Sequence, residues 1–237
     1  MLALFLSTLT LQHFNTHSYH FTCEYIDSTT TGQITRRRTI EADLIATPQE
    51  ETWSNVTVAQ AGAKPQSQLF MQGFRYTTAD QKGPFTPGFF RNFPPTAIEE
   101  KNLVWDTIMF EHFAALSNRV KPGINTKFKS DEVKLGGSGT FTNSDVELTA
   151  LGTAMLNGKR CKVMKYTALF NKVDVNAPGI HLLGRSHYWG EIWISGTNHH
   201  IVLGMLYEDV LGELTLGSSP APRVINVFRI GTLRAVT

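Results

Sequence analysis

The stretch from Arg185 to Asp209, which reads RSHYWGEIWISGTNHHIVLGMLYED, constrains the fold more than any other part of this chain. It contains two runs in which aromatic and aliphatic residues alternate with their neighbours, and a Gly-Thr-Asn turn separates them. Such period-two patterning around a polar turn predicts a β-hairpin. Because both faces of each run carry apolar side chains, both faces of the sheet need cover.

Length and composition favour a folded, β-rich protein. The chain has 237 residues, 41% of them hydrophobic and 18% charged, which excludes a mostly disordered chain and allows a sizeable core. The net charge is only +2, and the one basic cluster, Arg36 to Arg38, is soon followed by Glu41 and Asp43. This pattern favours a solvated strand edge, so we expect no nucleic-acid partner.

The N-terminal segment and the two cysteines leave alternatives open. The apolar run from Leu2 to Leu11 is too short to span a membrane. Residues 1–18 could be a signal peptide, a lipid-surface anchor or a first helix. Cys23 and Cys161 could form a disulfide in an oxidising compartment or remain two buried thiols. A composition rich in Thr, Ser and Gly, without cytosolic enzyme motifs, favours a periplasmic or secreted protein.

Most of the chain is predicted to form one antiparallel meander, and residues 19–237 are expected to form a single domain. Asn157-Gly158 is a strong hairpin signal. Loops are predicted at 173–184 and 217–222. The predicted strands are residues 19–26, 33–44, 53–60, 68–77, 134–142 with a bend at Gly136 and Gly137, 145–156, 160–170, the hairpin at 185–209, and 224–235.

One amphipathic helix is predicted at about 96–117 and is expected to pack on the sheet. Thr96 to Glu99 matches a capping box, and apolar residues from Ile98 to Leu116 recur at helical spacing. The expected polar side comprises Glu100, Asp106, Thr107 and Glu111. A proline-rich loop precedes the helix and contains Phe85, Phe89, Phe90 and Phe93, which could form a lid over the sheet or a plug at one end of the core.

The second half of the chain carries a resemblance to a known family. The strand beginning Asn157-Gly158-Lys159-Arg160-Cys161, the run from Trp189 to Ser195, and the run from Ile201 to Asp209 follow one another along the sequence. This succession resembles the bacterial outer-membrane lipoprotein carrier and sorting proteins. The resemblance implies a strongly curved antiparallel sheet or half-barrel whose concave face is lined by apolar residues and holds acyl chains.

Candidate binding residues are mainly aromatic. Aromatic side chains on strands with two apolar faces favour an apolar ligand site. The predicted ligand-binding residues are Trp189, Trp193, Met205, Tyr207 and Phe228, with Phe89 and Phe90 of the loop as cover. We expect no cofactor, because the histidines lack metal-ligand spacing and Gly136 to Gly139 lacks the features of a phosphate loop.

The sequence predicts mainly β structure and a non-enzymatic envelope protein that binds or carries a lipid or lipoprotein acyl chain in the concave face of the sheet. One alternative is a small β-barrel enzyme that uses His187, Glu191 and Glu208 in acid–base chemistry. The other is an envelope module that binds a protein partner through its sheet edges or its aromatic loop. No transmembrane span is expected.

Overall fold

The computed structural model describes residues 15–77, 88–129, 132–134, 139–142, 144–177, 179–197, 199–217 and 219–236, with backbone alone at 132–134, 177, 219 and 220. Within these ranges, thirteen strands form one large open antiparallel sheet, and one α-helix packs on it. The predicted fold class is therefore confirmed.

The strands are long in the second half of the chain and shorter in the first. They are β1 (His17–Ser28), β2 (Ile34–Ala46), β3 (Glu50–Gln60), β4 (Gln66–Ser67), β5 (Arg75–Thr77), β6 (Asn125–Phe128), β7 (Glu132–Lys134), β8 (Gly139–Thr142), β9 (Val146–Leu156), β10 (Lys159–Ala177), β11 (Ile180–Ser195), β12 (Ile201–Leu216) and β13 (Ser219–Val236). The helix α1 spans Ile98–Leu116, and short 3-10 turns occupy Leu69–Met71 and Ser117–Arg119.

The first and last long strands lie side by side at the centre of the sheet. Its order is β4-β3-β2-β1-β13-β12-β11-β10-β8-β7. Strand β10 changes partners along its length, because its first half pairs with β9 and residues 172–175 pair with β8. The predicted hairpin is confirmed as β11 and β12, and both strands are longer than expected.

Helix α1 lies across the strands. Near its start, Glu99 pairs with Arg38 of β2, and at its middle Asp106 pairs with Arg229 of β13. Just beyond its end, the carbonyl of Ser117 accepts a hydrogen bond from Lys162 of β10. The helix therefore crosses the sheet from β2 to β10.

The sheet curves around this helix. The ring of Phe110 lies 6.4 Å from that of Phe21 on β1 and 6.3 Å from that of Tyr166 on β10. These strands are four positions apart, and a flat sheet would separate them by about 19 Å. Side chains that stand perpendicular to a flat sheet would not approach one ring this closely, so the spacing indicates a sheet that is concave towards α1. We call this concave face the inner face and the opposite one the outer face.

The predicted polar side of the helix is wrong. Glu100, Asp106, Thr107 and Glu111 are all buried. The reason is that α1 lies in a concavity and is covered on more than one side, so it has no broad solvated face. The predicted capping box is also wrong. Ala97 occupies the N-cap without a side-chain hydrogen bond, and Glu99 turns to Arg38 rather than back to the helix start.

Three of the predicted strand and loop assignments are wrong. The predicted turn at 217–222 is shorter, because residues 219–222 already belong to β13. Residues 68–77 form a 3-10 turn followed by the short strand β5, because Met71 packs into the core from a turn rather than from an alternating strand. The segment 173–184, predicted to be a loop, consists of the end of β10 and the start of β11. Polar Asp174 and Asn176 break its apolar character, but they alternate with valines as strand residues do.

Several predicted features lie outside the described residues: the apolar run from Leu2 to Leu11, Phe85 of the aromatic loop, and the predicted bend at Gly136 and Gly137. Both cysteines are buried free thiols. Cys23 shares the inner face with Phe21, whereas the register of β10 places Cys161 on the outer face with Trp193. Burial raises the pKa of the Cys23 thiol to about 12.

Candidate functional site

The predicted aromatic site is on the outer face. Strand register aligns Trp189 with Tyr207 and Trp193 with Leu203, on the face opposite α1. The rings of Trp189 and Tyr207 stack at 6.0 Å, and the ring of Phe228 lies 6.2 Å from that of Trp189. Met205 lies on the same face, and the predicted residues on β11, β12 and β13 are all half-buried. The structure thus brings these residues together as an outer aromatic group: Trp189, Trp193, Met205, Tyr207 and Phe228.

The two loop phenylalanines lie elsewhere. The rings of Phe89 and Phe90 are 5.9 Å and 6.1 Å from that of Phe74, and Phe90 is 5.7 Å from Trp105 of α1. This packing is on the helix side of the sheet. Phe89 and Phe90 therefore pack as a plug against the core, and they do not cover the outer aromatic group.

The structure separates the three residues of the acid–base alternative. His187 accepts a hydrogen bond from the backbone N–H of Phe170 at 3.0 Å on the outer face. Glu191 accepts one from the indole of Trp193 at 3.3 Å on the same face. Glu208 is buried on the inner face. In the described part of the chain, no group of three or more His, Cys, Asp or Glu side chains is arranged to hold a metal ion.

A buried ionic cluster joins α1 to the inner face. The guanidinium of Arg229 donates to both carboxylate oxygens of Asp106, at 3.0 Å and 3.3 Å. Its Nε donates to Glu208 at 2.5 Å, and Nη1 also donates to the hydroxyl of Tyr25 at 3.4 Å. Ser186 donates to the other oxygen of Glu208. We call Asp106, Glu208 and Arg229 the ionic cluster.

The three residues of the cluster are buried, and their charges shift one another's pKa values. Desolvation raises the pKa of Asp106 to about 6, against the lowering effect of Arg229. Burial alone would lower the pKa of Arg229, but the carboxylates of Asp106 and Glu208 outweigh it and hold that pKa well above its usual range. Two carboxylates face one guanidinium, so the cluster carries a net negative charge when both are ionised.

Beyond the cluster, the inner face continues past the end of the helix-covered area. The paired register of β10 to β13 extends to residues 177, 180, 216 and 219. Along these extensions the inner face is mainly apolar, with exposed Arg223 towards its far end. The large apolar side chains are half-buried except for Val173, which is buried. We call this surface the distal trough, formed by Phe141, Val173, Val175, Leu182, Val210, Leu214, Ile225 and Val227.

Two glycines form the floor of the distal trough. Gly184 and Gly212 are register partners on neighbouring strands. A Cβ on Gly184 would lie 2.5 Å from the carbonyl oxygen of Leu211, and one on Gly212 would lie 2.7 Å from that of Leu183. Only glycine tolerates this close approach of two backbones. The two glycines therefore add no side chain of their own to the floor, and the side chain of Leu182 lies against Gly212, with its Cδ1 2.9 Å from the position that a Cβ would take.

The outer face of the same strand segments has a different composition. Its positions include Lys172, Asp174, Arg185 and Glu213, with exposed Leu183 and Leu211 among them. Apolar residues thus concentrate on the inner side and charged residues on the outer side. Sequence reasoning missed this segment because 173–184 was predicted to be a loop. The alternation of Val173 and Val175 with Lys172 and Asp174 is the signal that could have identified it.

On one side of the distal trough, β13 extends beyond the end of β1. Strand β1 ends at Ser28, opposite Asn226, whereas β13 extends back to Ser219. Pro220 and Pro222 lie in this part of β13. Proline cannot donate a ladder hydrogen bond, and it discourages pairing with another strand. This edge of β13 is suited to remain open beside the trough.

Comparisons with known proteins give no family. No family model matches the chain, and no curated protein matches it. Among the described residues, no helix is long and apolar enough to cross a membrane.

Two solved structures are among those that the comparison found. One describes lipid–protein interactions in lipovitellin, with a TM-score of 0.48 and 10% identity over 96% of this chain and 25% of that chain. The chain thus spans about a quarter of the length of that lipovitellin chain. The other is a DUF1329 family protein from Desulfovibrio piger, with a TM-score of 0.20 and 8% identity over 98% of this chain and 91% of that one. At these TM-scores, neither likeness assigns the chain to a family.

Proposed function

We propose that this protein is a non-enzymatic binding or carrier protein of the cell envelope that holds a lipid or acyl chain in the distal trough. The observation that carries this proposal is the concave, apolar inner face that continues beyond α1. Its apolar side chains other than buried Val173 are partly exposed, whereas the outer face of the same strands carries charged and exposed residues. Concave apolar surfaces of this kind are the usual form of sites for apolar ligands.

The energetics favour an occupant for the trough. Apolar surface contributes about 25 cal/mol per Å² when it is removed from water. Leu182, Leu214 and Ile225 are partly exposed, so part of this free energy remains unused in the described fold. A ligand that covers them gains it without any rearrangement of the sheet, because backbone pairing already fixes the trough.

The ionic cluster supports binding rather than catalysis at the inner end of the trough. Each N–H group of Arg229 has a partner among Asp106, Glu208 and Tyr25. The cluster therefore serves to anchor α1 to the sheet. It has no spare donor to polarise a substrate.

Leu182 and its neighbour Leu183 provide a matched pair of variants, because they lie on opposite faces of the same strand. Leu182→Gln places a polar amide in the trough, and we expect it to weaken binding of a fluorescent fatty acid about tenfold, the equivalent of one partly buried leucine side chain. Leu183→Gln makes the same chemical change on the outer face and should leave the affinity unchanged. Titration of probe fluorescence measures both.

The proposal fails in two ways. Wild-type protein that binds neither the probe nor any copurifying lipid in native mass spectrometry would contradict it. Equal weakening by Leu182→Gln and Leu183→Gln would place the ligand elsewhere or show a general loss of structure. Circular dichroism of both variants distinguishes these two explanations.

A second candidate function is binding of an envelope protein through the outer aromatic group, which is favoured by its three associated rings on a half-buried surface. Lys165 is exposed beside this group, opposite Glu191. A photoreactive residue at position 165 should give one discrete cross-linked product in envelope extract, and one at exposed His181 should not. Absence of any product at 165 would remove this candidate.

A further inference from the structure

The two ends of the distal trough differ in chemistry. At the inner end, the register row Glu208–Arg229 is followed directly by Val210–Val227. At the far end, Leu214 is aligned with Arg223, an exposed residue of the same face. A molecule in the trough therefore meets a buried ionic cluster at one end and a solvated cation at the other.

The inner end cannot accept a charged or strongly polar group. The guanidinium of Arg229 is saturated by its own partners, and the cluster has a net negative charge when its carboxylates are ionised. An anionic head group placed there would lose its hydration and face carboxylates without a free donor. A terminal methyl group makes no such demand, so an acyl chain can approach the cluster only with its methyl end.

The inner end is also closed. Asp106 holds α1 against Arg229 at this row, and Ser186 and Asn171, which border it, are fully buried. An acyl chain that enters the trough from its far end must therefore end before the ionic cluster. Moving the stop would require breaking the buried ion pairs.

The length of the trough limits the length of the acyl chain that it can hold. From Val210 to Leu216, strand β12 covers six residue steps, or about 20 Å at the usual strand rise. Arg223 is aligned two steps before that end, about 7 Å away, a distance that its long side chain can span. An extended alkyl chain with C–C bonds of about 1.5 Å advances about 1.25 Å per carbon, so about sixteen carbons fill the trough.

We infer that the distal trough takes one linear acyl chain, methyl end first, that the ionic cluster is the stop limiting its length, and that an acidic head group lies near Arg223. This inference rests on the proposed function and adds the ligand's orientation, length and head-group class. Among the described side chains of the trough's inner face, Arg223 is the one cation beyond the ionic cluster.

A chain-length series tests the stop. Saturated fatty acids of 8 to 20 carbons compete with a fluorescent probe, and we expect affinity to rise about threefold to fourfold per methylene and to level off near sixteen carbons. Val210→Trp fills the inner end and should move the plateau to a chain shorter by about three carbons, from the added side-chain depth. Leu211→Trp adds the same bulk on the outer face and should leave the plateau where it is.

A head-group comparison tests the orientation. Arg223→Glu should weaken binding of a sixteen-carbon fatty acid about threefold, the effect of one solvated charge pair, and should not change binding of its methyl ester. Arg185→Glu makes the same charge change on the outer face and should alter neither ligand.

The outcomes separate this inference from the proposed function. Affinity that keeps rising beyond twenty carbons, or a plateau that Val210→Trp does not move, would overturn the stop while the trough remains a lipid site. Equal loss of acid and ester binding in Arg223→Glu would overturn the head-group assignment. If the trough variant Leu182→Gln binds the probe like wild type, the proposed function itself is wrong.

Discussion

The inner face of this sheet has two halves that differ in what covers them. In the first, α1 fills the concavity and buries both apolar rings and the ionic cluster. In the second, the same strands β10 to β13 continue without a helix, and their apolar side chains remain half-exposed in the distal trough. The strands are therefore longer than α1 can cover. The uncovered half is where a ligand can be held.

The largest expected effect concerns the ionic cluster, which anchors α1 at the boundary between the two halves. Arg229→Met should lower the free energy of unfolding by about 4 kcal/mol, because it leaves Asp106 and Glu208 buried without their counter-charge. Urea unfolding measures this change, with exposed Arg234→Met on the same strand as the control. A loss below 1 kcal/mol for Arg229→Met would mean that the cluster does not anchor α1.

The second prediction uses the pH dependence of the same cluster. Burial raises the pKa of Asp106 from 3.8 to about 6. A carboxyl with a raised folded pKa binds its proton more tightly in the folded state, so its contribution is full below pH 3.8 and is lost as the pH rises through 6. The stability of wild type relative to Asp106→Asn should therefore fall by up to about 3 kcal/mol from pH 4 to pH 7.

Urea unfolding of both proteins across this pH range provides the measurement. The groups that face Asp106 are Arg229 and Glu208 on the sheet, with Tyr25 and Cys23 beside them. Taking the difference from Asp106→Asn cancels the titration of distant groups. A difference that increases with pH would show that Arg229 outweighs desolvation and lowers the pKa of Asp106.

The third prediction compares one leucine from each half. Leu103 of α1 is fully buried, and Leu103→Ala should cost about 3 kcal/mol. Leu182 in the trough is half-exposed, so Leu182→Ala should cost only about 1 kcal/mol. With a saturating fatty acid present, the two costs should converge, because the ligand buries Leu182. Thermal unfolding with and without the fatty acid measures both losses of stability. Losses that remain different in the presence of the fatty acid would show that it does not occupy the trough.

The smallest effect concerns the boundary between the halves. Strand β10 has a β-bulge between Ala168 and Asn171, where it changes partner from β9 to β8. The amide of Asn171 donates to the carbonyls of Ala168 and Ser186, at 2.9 Å and 3.1 Å, and accepts from the N–H of Ser144. Asn171→Ala should cost about 1.5 kcal/mol by leaving buried backbone groups unsatisfied. Exposed Asn176→Ala is the control, and equal costs would remove this role.

The sequence predicted the helix-covered half better than the trough. Helical spacing located α1 to within two residues, and period-two alternation identified β11 and β12, because both signals depend on local geometry. The charged residues of α1 were placed in solvent because a helix in a concavity is covered on several sides. This burial depends on tertiary packing, which the helical spacing of apolar residues does not reveal. The partner of Asp106 is 123 positions away in the chain, at Arg229.

The site was harder to predict for related reasons. The rings of Trp189, Tyr207 and Phe228 lie together on one face, since register follows from alternation, and their role in binding stays a prediction. Which face α1 would cover could not be read from strands that are apolar on both sides. The trough was missed because Asp174, Asn176 and Gly179 made its segment look like a loop, although these residues occupy the outer face or the turn.

The most direct test of the distal trough as the binding site is to determine on which face of the sheet an acyl chain binds. A sixteen-carbon fatty acid with a nitroxide near its methyl end can be added to protein with isotopically labelled Leu and Val methyl groups. At low occupancy of the labelled acid, we expect the paramagnetic relaxation rates to be highest for Val210 and Val227 at the inner end of the trough and much lower for Leu183 and Leu211 on the outer face. Strongest broadening on the outer face, or equal broadening on both, would contradict this assignment.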